Sequence, residues 1–489
     1  MPGQTYDFGT SGSSAVFDID ARAAGVAIPP GFFGYGAQWR KPDIERVTGS
    51  LGTITTNQQH ASALATIKAS YAPILSEIGC KRLSFFWGVG MGTFGHPLTS
   101  IGPWQSRTVD LNPPGGVNEK WIVGLGDIAP LCRAWGVEGI TVAAPINGMN
   151  PIDKTISATA RAECVKTAMS MVSTLSAADL NVHLGMGTEV SPLGIKATQA
   201  QSDQLALAKA LRSALPSNVV LLLYVVQGAR WSAAEAAKAM FVNKPLYDYS
   251  MSTPGVALDL HPYSSASKWS LDSLGVVAMN STNIATLSEM GWQQRGYMRV
   301  SASHWGAVGG FAPGVLAEWA VEGSRADKAD ETSTEQPFEV ALAHCDILRE
   351  SCASDVLASM KWSLTDPKPP EWRYGAVTSS RTASTHAKML GFLAAYHRGR
   401  RIGDCRVGSL RACVSRRPDS PEPHVYGVNW SSLAVPLGFR VSNFSVNSAI
   451  VDYWTAAGLT ENVPWNGGTA FSIPARSAWR IRLTNQESG

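Results

Sequence analysis

Residues 219–226 read Val-Val-Leu-Leu-Leu-Tyr-Val-Val, the longest unbroken apolar run in this chain of 489 residues. A half-buried strand alternates apolar and polar residues, whereas this run is apolar on both faces, as in a parallel sheet covered by helices. Helical patterns flank the run at 200–214 and 233–241. The stretch therefore predicts an α/β fold built on a buried parallel sheet.

Seven further runs have the same character, and helical patterns such as 61–78, 157–175 and 338–350 lie between the runs. In chain order the eight predicted strands are 32–36, 82–87, 140–144, 182–186, 219–226, 256–260, 314–317 and 356–360. Eight strands alternating with helices are what a (β/α)8 TIM barrel requires. The alternative is an open doubly wound sheet, which would need a glycine fingerprint opening a helix. The glycine-dense segment 88–92 runs into Gly95-His96-Pro97 instead, so we expect the barrel.

The C-terminal part of the chain has a different pattern, with short alternating strands separated by turn residues. These runs are 425–429, 439–441, 449–453 and 478–483, and the N-terminal run 15–19 alternates in the same way. The spacing is typical of an antiparallel β-sandwich. We therefore expect three segments: N-terminal sandwich strands in 1–28, the barrel in 29–400 and the sandwich domain in 401–489.

Composition narrows the class of protein. The chain is 45% hydrophobic and 16% charged, with a formal net charge of +3 and no basic tract of the kind that binds nucleic acid. Its longest apolar run is far shorter than the roughly 20 residues of a membrane-spanning helix, so we expect neither a nucleic-acid nor a membrane partner. Met1-Pro2-Gly3 opens with neither the basic segment nor the apolar segment of a signal peptide, which leaves open whether the protein stays in the cell or has lost such a signal. Composition alone slightly favours an extracellular location. The oligomeric state is left open.

The cysteines do not form a recognisable framework. Seven is an odd number, and CxxC pairs are absent from the sequence. Most of the thiols are expected to be free and buried, although Cys405 and Cys413 lie eight residues apart around Gly408, a spacing compatible with a bridged hairpin.

Two glutamates follow predicted barrel strands at the end where catalytic residues of TIM barrels lie. Glu189 comes after the fourth strand, in Gly-Thr-Glu-Val-Ser, and Glu318 comes after the seventh, in Leu-Ala-Glu-Trp. Strands four and seven face each other over the mouth of a closed barrel. Two carboxylates facing across a cleft are what cleavage of a glycosidic bond requires.

The sixth strand ends in a second polar group, Asp259-Leu260-His261-Pro262-Tyr263. Alternation places Asp259, His261 and Tyr263 on one face, where an imidazole and a phenol can bind a sugar hydroxyl or hold a carboxylate in place. Trp362, after strand eight, is a candidate platform for a sugar ring. Arg82, on strand two, is a candidate partner that keeps the nucleophilic carboxylate ionised.

Together, these motifs resemble the retaining glycoside hydrolases of clan A. The opening Ile-Pro-Pro-Gly-Phe-Phe-Gly-Tyr-Gly at 28–36, preceded by a sandwich strand, is similar to members with a barrel and a β-sandwich, such as the heparanase-type β-glucuronidases, arabinofuranosidases and β-xylosidases. The resemblance implies that Glu189 is the acid/base and Glu318 the nucleophile, with His261 and Tyr263 beside them.

One position departs from that family. Most members place Asn directly before the acid/base to hold the 2-hydroxyl of the substrate, whereas this chain has Thr188. Threonine either makes a weaker version of the contact, or the sugar differs at that carbon, or Glu189 is not the acid. Asn147 and Gln227, just past strands three and five, are further candidates for sugar binding.

Aromatic residues are the remaining candidates for substrate binding, because the apolar faces of sugars stack on flat rings. We select the tryptophans in loops that follow strands, which are Trp39, Trp87, Trp104, Trp231, Trp269, Trp305, Trp319 and Trp362. Trp87, Trp319 and Trp362 are the ones that we place in the site.

Other classes of function have weaker support. A carbohydrate-binding barrel without activity is the alternative that Thr188 favours, and a transglycosylase would use the same residues as a hydrolase. HExxH, Gly-Lys of a P-loop and Gly-x-Ser-x-Gly are absent from the sequence. We therefore expect no cofactor and no metal site, and a carbohydrate as the partner.

Overall fold

The computed structural model describes residues 4–6, 15–37, 39, 41–85, 104, 122–143, 158–185, 197–225, 233–261, 263–264, 313–321, 338–354, 356–361, 363–365, 375–378, 380–465 and 471–485. Within these ranges the chain forms a closed parallel barrel and a two-sheet β-sandwich, as the sequence predicted, and the sandwich strands are antiparallel apart from one parallel pair.

Eight parallel strands form the barrel. They are β4 (Phe33–Gly36), β5 (Arg82–Phe85), β6 (Gly139–Ala143), β7 (Asn181–Gly185), β8 (Val220–Tyr224), β9 (Val256–Leu260), β11 (Gly314–Val321) and β12 (Ser359–Lys361). Each strand pairs with the next, and β12 pairs with β4, where Ser359 lies opposite Phe33, so the sheet closes. A two-residue strand, β10 (Tyr263–Ser264), extends the edge of β11. All eight strands expected from the sequence are present.

The described helices that cover the barrel occupy the segments between its strands, and the last of them follows the final strand. They are α1 (Lys41–Thr48), α2 (Asn57–Glu77), α3 (Leu125–Ala134), α4 (Ala158–Ser176), α5 (Ala197–Ala214), α6 (Ala233–Ser252), α7 (Phe338–Ala353) and α8 (Thr385–Ala394). A capping box begins α2, because Thr56 accepts from the backbone of Gln59 and the side chain of Gln59 accepts from the backbone of Thr56.

Apolar side chains occupy both faces of the barrel sheet. Outward-facing residues such as Ile140, Leu221 and Leu258 join the large core between strands and helices. A separate small cluster fills the barrel interior and consists of Leu222, Ala257, Val315, Ala358 and Met360. The barrel interior is therefore packed with side chains, as is usual for this fold.

The sandwich contains strands from both ends of the chain. Its larger sheet runs β18 (Gly458–Trp465), β17 (Ser448–Thr455), β20 (Ser477–Thr484), β15 (Pro423–Asn429), β14 (Leu410–Arg416), β13 (Arg400–Val407) and β3 (Val26–Ala27), and its smaller sheet joins β1 (Gln4–Tyr6), β2 (Ala15–Asp20), β16 (Val435–Ser442) and β19 (Phe471–Ile473). The N-terminal run 15–19 lies in β2, which pairs with β16, so its predicted place in the sandwich is confirmed. The division of the chain at residues 28 and 400 stays a prediction.

Helix α7 joins the two parts. Every residue from Val340 to Ala353 is buried, because the barrel lies on one side of the helix and the larger sandwich sheet on the other. Asp346 lies at the centre of this interface. It pairs with Arg411 of β14, accepts from Nε of Arg349 at 2.9 Å and accepts from the indole of Trp430 at 3.1 Å. The barrel and the sandwich thus share a buried, hydrogen-bonded ionic network.

All seven cysteines lie within the described residues and are free thiols. In the hairpin of β13 and β14, Cys405 lies opposite Ala412 and Asp404 lies opposite Cys413. Cys405 packs with the sandwich core and Cys413 with the core that includes α7. The two cysteines are thus on opposite faces of the sheet, which prevents a disulfide between them.

No helix in the described part of the chain combines the length and the hydropathy needed to cross a bilayer.

Candidate active site

Strands β9 and β11 lie side by side, and three of the predicted site positions, His261, Tyr263 and Glu318, lie on β11 or in the segment that runs from β9 into β10. Val315 pairs with Asp259 and Leu316 with Leu260, while Ala320 pairs with Tyr263 of β10. Position 318 is therefore flanked on both sides by pairings to the segment that contains His261 and Tyr263. For Glu318 and Tyr263 the description covers the strand backbone.

A β-bulge occurs in β11 at this point. Leu316 pairs with Ser359 of β12 and Trp319 pairs with Lys361, so three steps along β11 correspond to two steps along β12. One extra residue is thus inserted between Leu316 and Trp319, within the segment that contains Glu318. Bulges re-aim side chains and are common beside active sites.

The faces of the neighbouring side chains show the effect of the bulge. Val315 belongs to the cluster inside the barrel, whereas Trp319, four residues later, packs outside it. Strict alternation would place these two residues on the same face. The indole of Trp319 is fully buried, donates to the hydroxyl of Ser359 at 2.9 Å and contacts the ring of His344 edge-on. A ring in this position cannot stack on a sugar in the barrel mouth, so we leave Trp319 out of the proposed site.

Asp259 and His261 form a buried pair at the carboxyl end of β9. Nε2 of His261 lies 3.0 Å from Oδ1 of Asp259, and the side chains are 3% and 0% exposed. The ring of Tyr224 contacts the imidazole edge-on, with 5.3 Å between centroids. Tyr224 ends β8 and lies directly opposite Asp259. The sequence placed Asp259 and His261 on one face, and the structure brings them into contact.

Gln204 of α5 supports this group from the helix layer. Its amide oxygen accepts from the backbone N–H of Tyr224 at 2.6 Å, and its amide nitrogen donates to the carbonyl of the same residue at 2.9 Å. The sequence analysis did not identify Tyr224 or Gln204. The signal available was a polar residue on the buried face of an amphipathic helix, beside Leu207 and Ala208.

Arg82 lies at the other end of the barrel. It is the first residue of β5 and is fully buried; Nε donates to the carbonyl of Gly31 at 2.7 Å and Nη1 to that of Ile140 at 3.1 Å. Nη2 donates to the side chain of Asn181, the first residue of β7. Burial lowers the pKa of the guanidinium to about 9, against a smaller raising effect from Glu138. These contacts link the amino-terminal ends of neighbouring barrel strands, which lie away from the predicted site. We therefore also leave Arg82 out of the proposed site.

His183 is the inward-facing residue of β7 above Arg82. It is buried, and burial together with the charge of Arg82 holds its pKa well below the usual value. A neutral imidazole at this depth is consistent with a structural role. Two of the other tryptophans considered as sugar platforms, Trp39 and Trp104, are also buried in the structure.

The remaining predicted site residues are Glu189, Trp87, Asn147, Thr188, Gln227 and Trp362, which lie outside the described residues. Glu189 is four residues beyond the end of β7, the fourth barrel strand. In the described ranges, no three His, Cys, Asp or Glu side chains are grouped so as to hold a metal ion.

The barrel-and-sandwich fold recurs in solved structures, although no protein-family model and no curated protein matches this sequence. A family 51 α-L-arabinofuranosidase from Bifidobacterium longum is 13% identical over 97% of this chain and 100% of its own, with a TM-score of 0.62. The family 51 arabinofuranosidase from Xanthomonas axonopodis pv. citri is 14% identical over 96% and 99%, with a TM-score of 0.64. A family 30 endoxylanase from Clostridium papyrosolvens C71 is 12% identical over 96% and 100%, with a TM-score of 0.55.

These similarities establish the fold. The chain has a (β/α)8 barrel with a β-sandwich, the fold of these arabinofuranosidases and this endoxylanase, which is the architecture that the sequence motifs implied.

Proposed function

We propose that this protein is a retaining glycoside hydrolase, with Glu318 as the nucleophile and Glu189 as the acid/base. The observation that supports the proposal best is the bulge in β11 between Leu316 and Trp319, beside the buried Asp259–His261 pair. Neighbouring residues of a strand face opposite sides of the sheet. The outward packing of Trp319 therefore supports our proposal that position 318 faces the barrel interior, as a catalytic residue there must.

The reaction would proceed by two displacements at the anomeric carbon. In the first, the carboxylate of Glu318 attacks that carbon while Glu189 protonates the departing glycosidic oxygen, which gives a glycosyl ester on Glu318. In the second, Glu189 removes a proton from water, which attacks the same carbon and releases Glu318. The mechanism needs the two carboxyl groups about 5–5.5 Å apart.

Substrate recognition would use the residues around these two carboxyl groups. We propose His261 and Tyr263, together with Asn147, Thr188 and Gln227, as hydrogen-bonding residues. Trp87 and Trp362 are proposed as platforms for the apolar faces of the sugar rings.

The similar structures suggest which substrates to test first. Two of them are arabinofuranosidases and one is an endoxylanase. We therefore propose a pentose-containing plant polysaccharide or oligosaccharide as the substrate class. 4-Nitrophenyl α-L-arabinofuranoside, 4-nitrophenyl β-D-xyloside and arabinoxylan are the first probes.

The acid/base role is tested with Glu189→Ala on substrates that differ in leaving group. Arabinoxylan needs protonation of its leaving oxygen, so its hydrolysis should slow by about 10²–10⁴-fold. The nitrophenyl glycoside needs little protonation and should slow much less in the step that releases nitrophenol. Glu461→Ala, on β18 of the sandwich with a half-exposed side chain, is the control. Equal slowing of both substrates would remove Glu189 from the acid role.

The same substrates also distinguish the hydrolase from the two alternative functions, a carbohydrate-binding protein and a transglycosylase. Glycan binding without product would favour the binding-protein alternative, to which Thr188 points. Products longer than the substrate would identify transglycosylation at the same site.

A further inference from the structure

The inward-facing residues of β9 change from apolar to ionisable toward the carboxyl end of the strand. Ala257 belongs to the apolar cluster inside the barrel, Asp259 is two residues further on, and His261 follows after another two. A carboxylate at 0% exposure costs several kcal/mol of desolvation unless it is hydrogen-bonded or paired. An apolar residue would fill this position as Ala257 fills the one below it, so packing alone does not account for Asp259.

The hydrogen bond between the two side chains determines which imidazole nitrogen carries a proton. Asp259 Oδ1 accepts from Nε2–H of His261 over 3.0 Å, which selects the Nε2-protonated form of a neutral ring and makes Nδ1 the acceptor nitrogen.

The surroundings hold the ring in one orientation. Tyr224 contacts the imidazole from the neighbouring strand, and the side-chain amide of Gln204 binds both backbone groups of Tyr224. The order from helix to site is therefore Gln204, Tyr224 and His261, with Asp259 hydrogen-bonded to the ring. Such support by surrounding groups is what a precisely oriented binding residue needs.

We infer that Asp259 is a positioning residue, which fixes the orientation and tautomer of His261 for contact with a sugar bound beside position 318. The inference rests on the proposed function and adds a residue that acts through His261 without touching the substrate.

A double-mutant cycle tests whether Asp259 acts through His261. The variants are Asp259→Ala, His261→Ala and the double variant, each measured for kcat and KM on the nitrophenyl glycoside that the wild type cleaves best. Each single change should lower kcat/KM by about 10- to 100-fold. The double variant should be no more than about threefold slower than His261→Ala, because Asp259 has nothing left to position. A loss in the double variant equal to the product of the single losses would overturn the inference.

Conservative replacement separates positioning from stability. Asparagine can accept the same hydrogen bond, so Asp259→Asn should recover a substantial part of the activity lost in Asp259→Ala. Asp248→Ala, which removes a half-exposed carboxylate on α6, is the matched control and should leave kcat/KM unchanged. Recovery of the melting temperature without recovery of activity in Asp259→Asn would contradict the positioning role.

A third measurement does not depend on catalysis. In ¹⁵N-histidine-labelled wild-type protein, the His261 resonances, assigned by their loss in His261→Ala, should show a proton on Nε2 and none on Nδ1 near neutral pH. A population with the proton on Nδ1 alone would overturn the inference. If the wild type cleaves no glycoside but shows the Nε2 proton, the proposed function fails while the orientation of His261 by Asp259 stands.

Discussion

The indole N–H of Trp319 donates to the hydroxyl of Ser359 on the helix-facing side of the barrel. Ser359 in turn donates to Ser351 of α7 at 3.2 Å. Because Val315 faces the barrel interior, this bond marks the change of face that occurs across the bulge in β11. Residue 318 directly precedes the hydrogen-bonded Trp319 in the chain.

Replacing Ser359 with Ala should therefore weaken both the fold and the proposed activity. The change leaves the buried indole N–H of Trp319 without its acceptor, which costs about 1–3 kcal/mol in the free energy of unfolding. Chemical denaturation measures this cost, and kcat on the nitrophenyl substrate reports on position 318. In Trp319→Phe the indole N–H is already gone, so adding Ser359→Ala should cost markedly less there. Equal costs in the two backgrounds would show that the hydrogen bond does not matter.

Substitution of Asp346 should lower the free energy of unfolding more than substitution of most other residues. Asp346→Ala removes a partner of two buried guanidinium groups, Arg349 and Arg411, and the acceptor for Trp430. Removing one partner from a buried ion-pair network costs about 3–5 kcal/mol, and Arg349 would keep its pair with Glu350. We expect the midpoint of denaturant unfolding to fall by the corresponding amount, measured by tryptophan fluorescence and circular dichroism.

An exposed ion pair provides the control for that prediction. Lys244 and Asp248 on α6 are 2.6 Å apart and more than half exposed, so Lys244→Ala should change the free energy of unfolding by less than about 0.5 kcal/mol. Similar losses for Lys244→Ala and Asp346→Ala would contradict the central place given to Asp346.

His397 should make the folded protein sensitive to acid. Burial, reinforced by Arg349, lowers the pKa of His397 to about 3, whereas an unfolded histidine titrates near 6.5. Between these values the unfolded chain binds a proton that the folded chain does not. The free energy of unfolding should therefore fall as the pH drops from about 6.5 toward 3, by at most about 1.4 kcal/mol per pH unit from this residue.

The variant His397→Phe tests this contribution, because the ring already contacts the aromatic side chains of Phe32 and Tyr426. Denaturation at pH 7, 6, 5 and 4 should give a shallower decline for the variant than for the wild type. Parallel declines would show that His397 does not cause the acid sensitivity.

The barrel could be predicted from the sequence because its strands are buried on both faces. Runs such as 219–226 and 314–317 are apolar without alternation, and the observed strands overlap all eight predictions. Sandwich strands were harder to identify. β13 and β18 are largely exposed and carry charged residues, so burial leaves little pattern in their sequences, and neither strand was predicted.

Part of the candidate site could also be predicted from the sequence. The residue types and their order placed Asp259 and His261 together, since alternation along one strand is a local property. Trp319 and Arg82 were assigned to the site from sequence order alone, but their positions depend on a bulge and on the two ends of the barrel. Gln204 was missed because its partner Tyr224 lies on the next strand, a relationship that only tertiary structure creates.

The most direct test of the retaining mechanism is the anomeric configuration of the first product, followed by NMR for the wild type and for Glu318→Gln. Hydrolysis of the best nitrophenyl glycoside by the wild type should first release a sugar with the configuration of the substrate, and Glu318→Gln should be at least about 10⁴-fold slower while remaining folded. A first product of inverted configuration, or a Glu318→Gln variant that turns over at the wild-type rate, would contradict the assignment of Glu318 as the nucleophile.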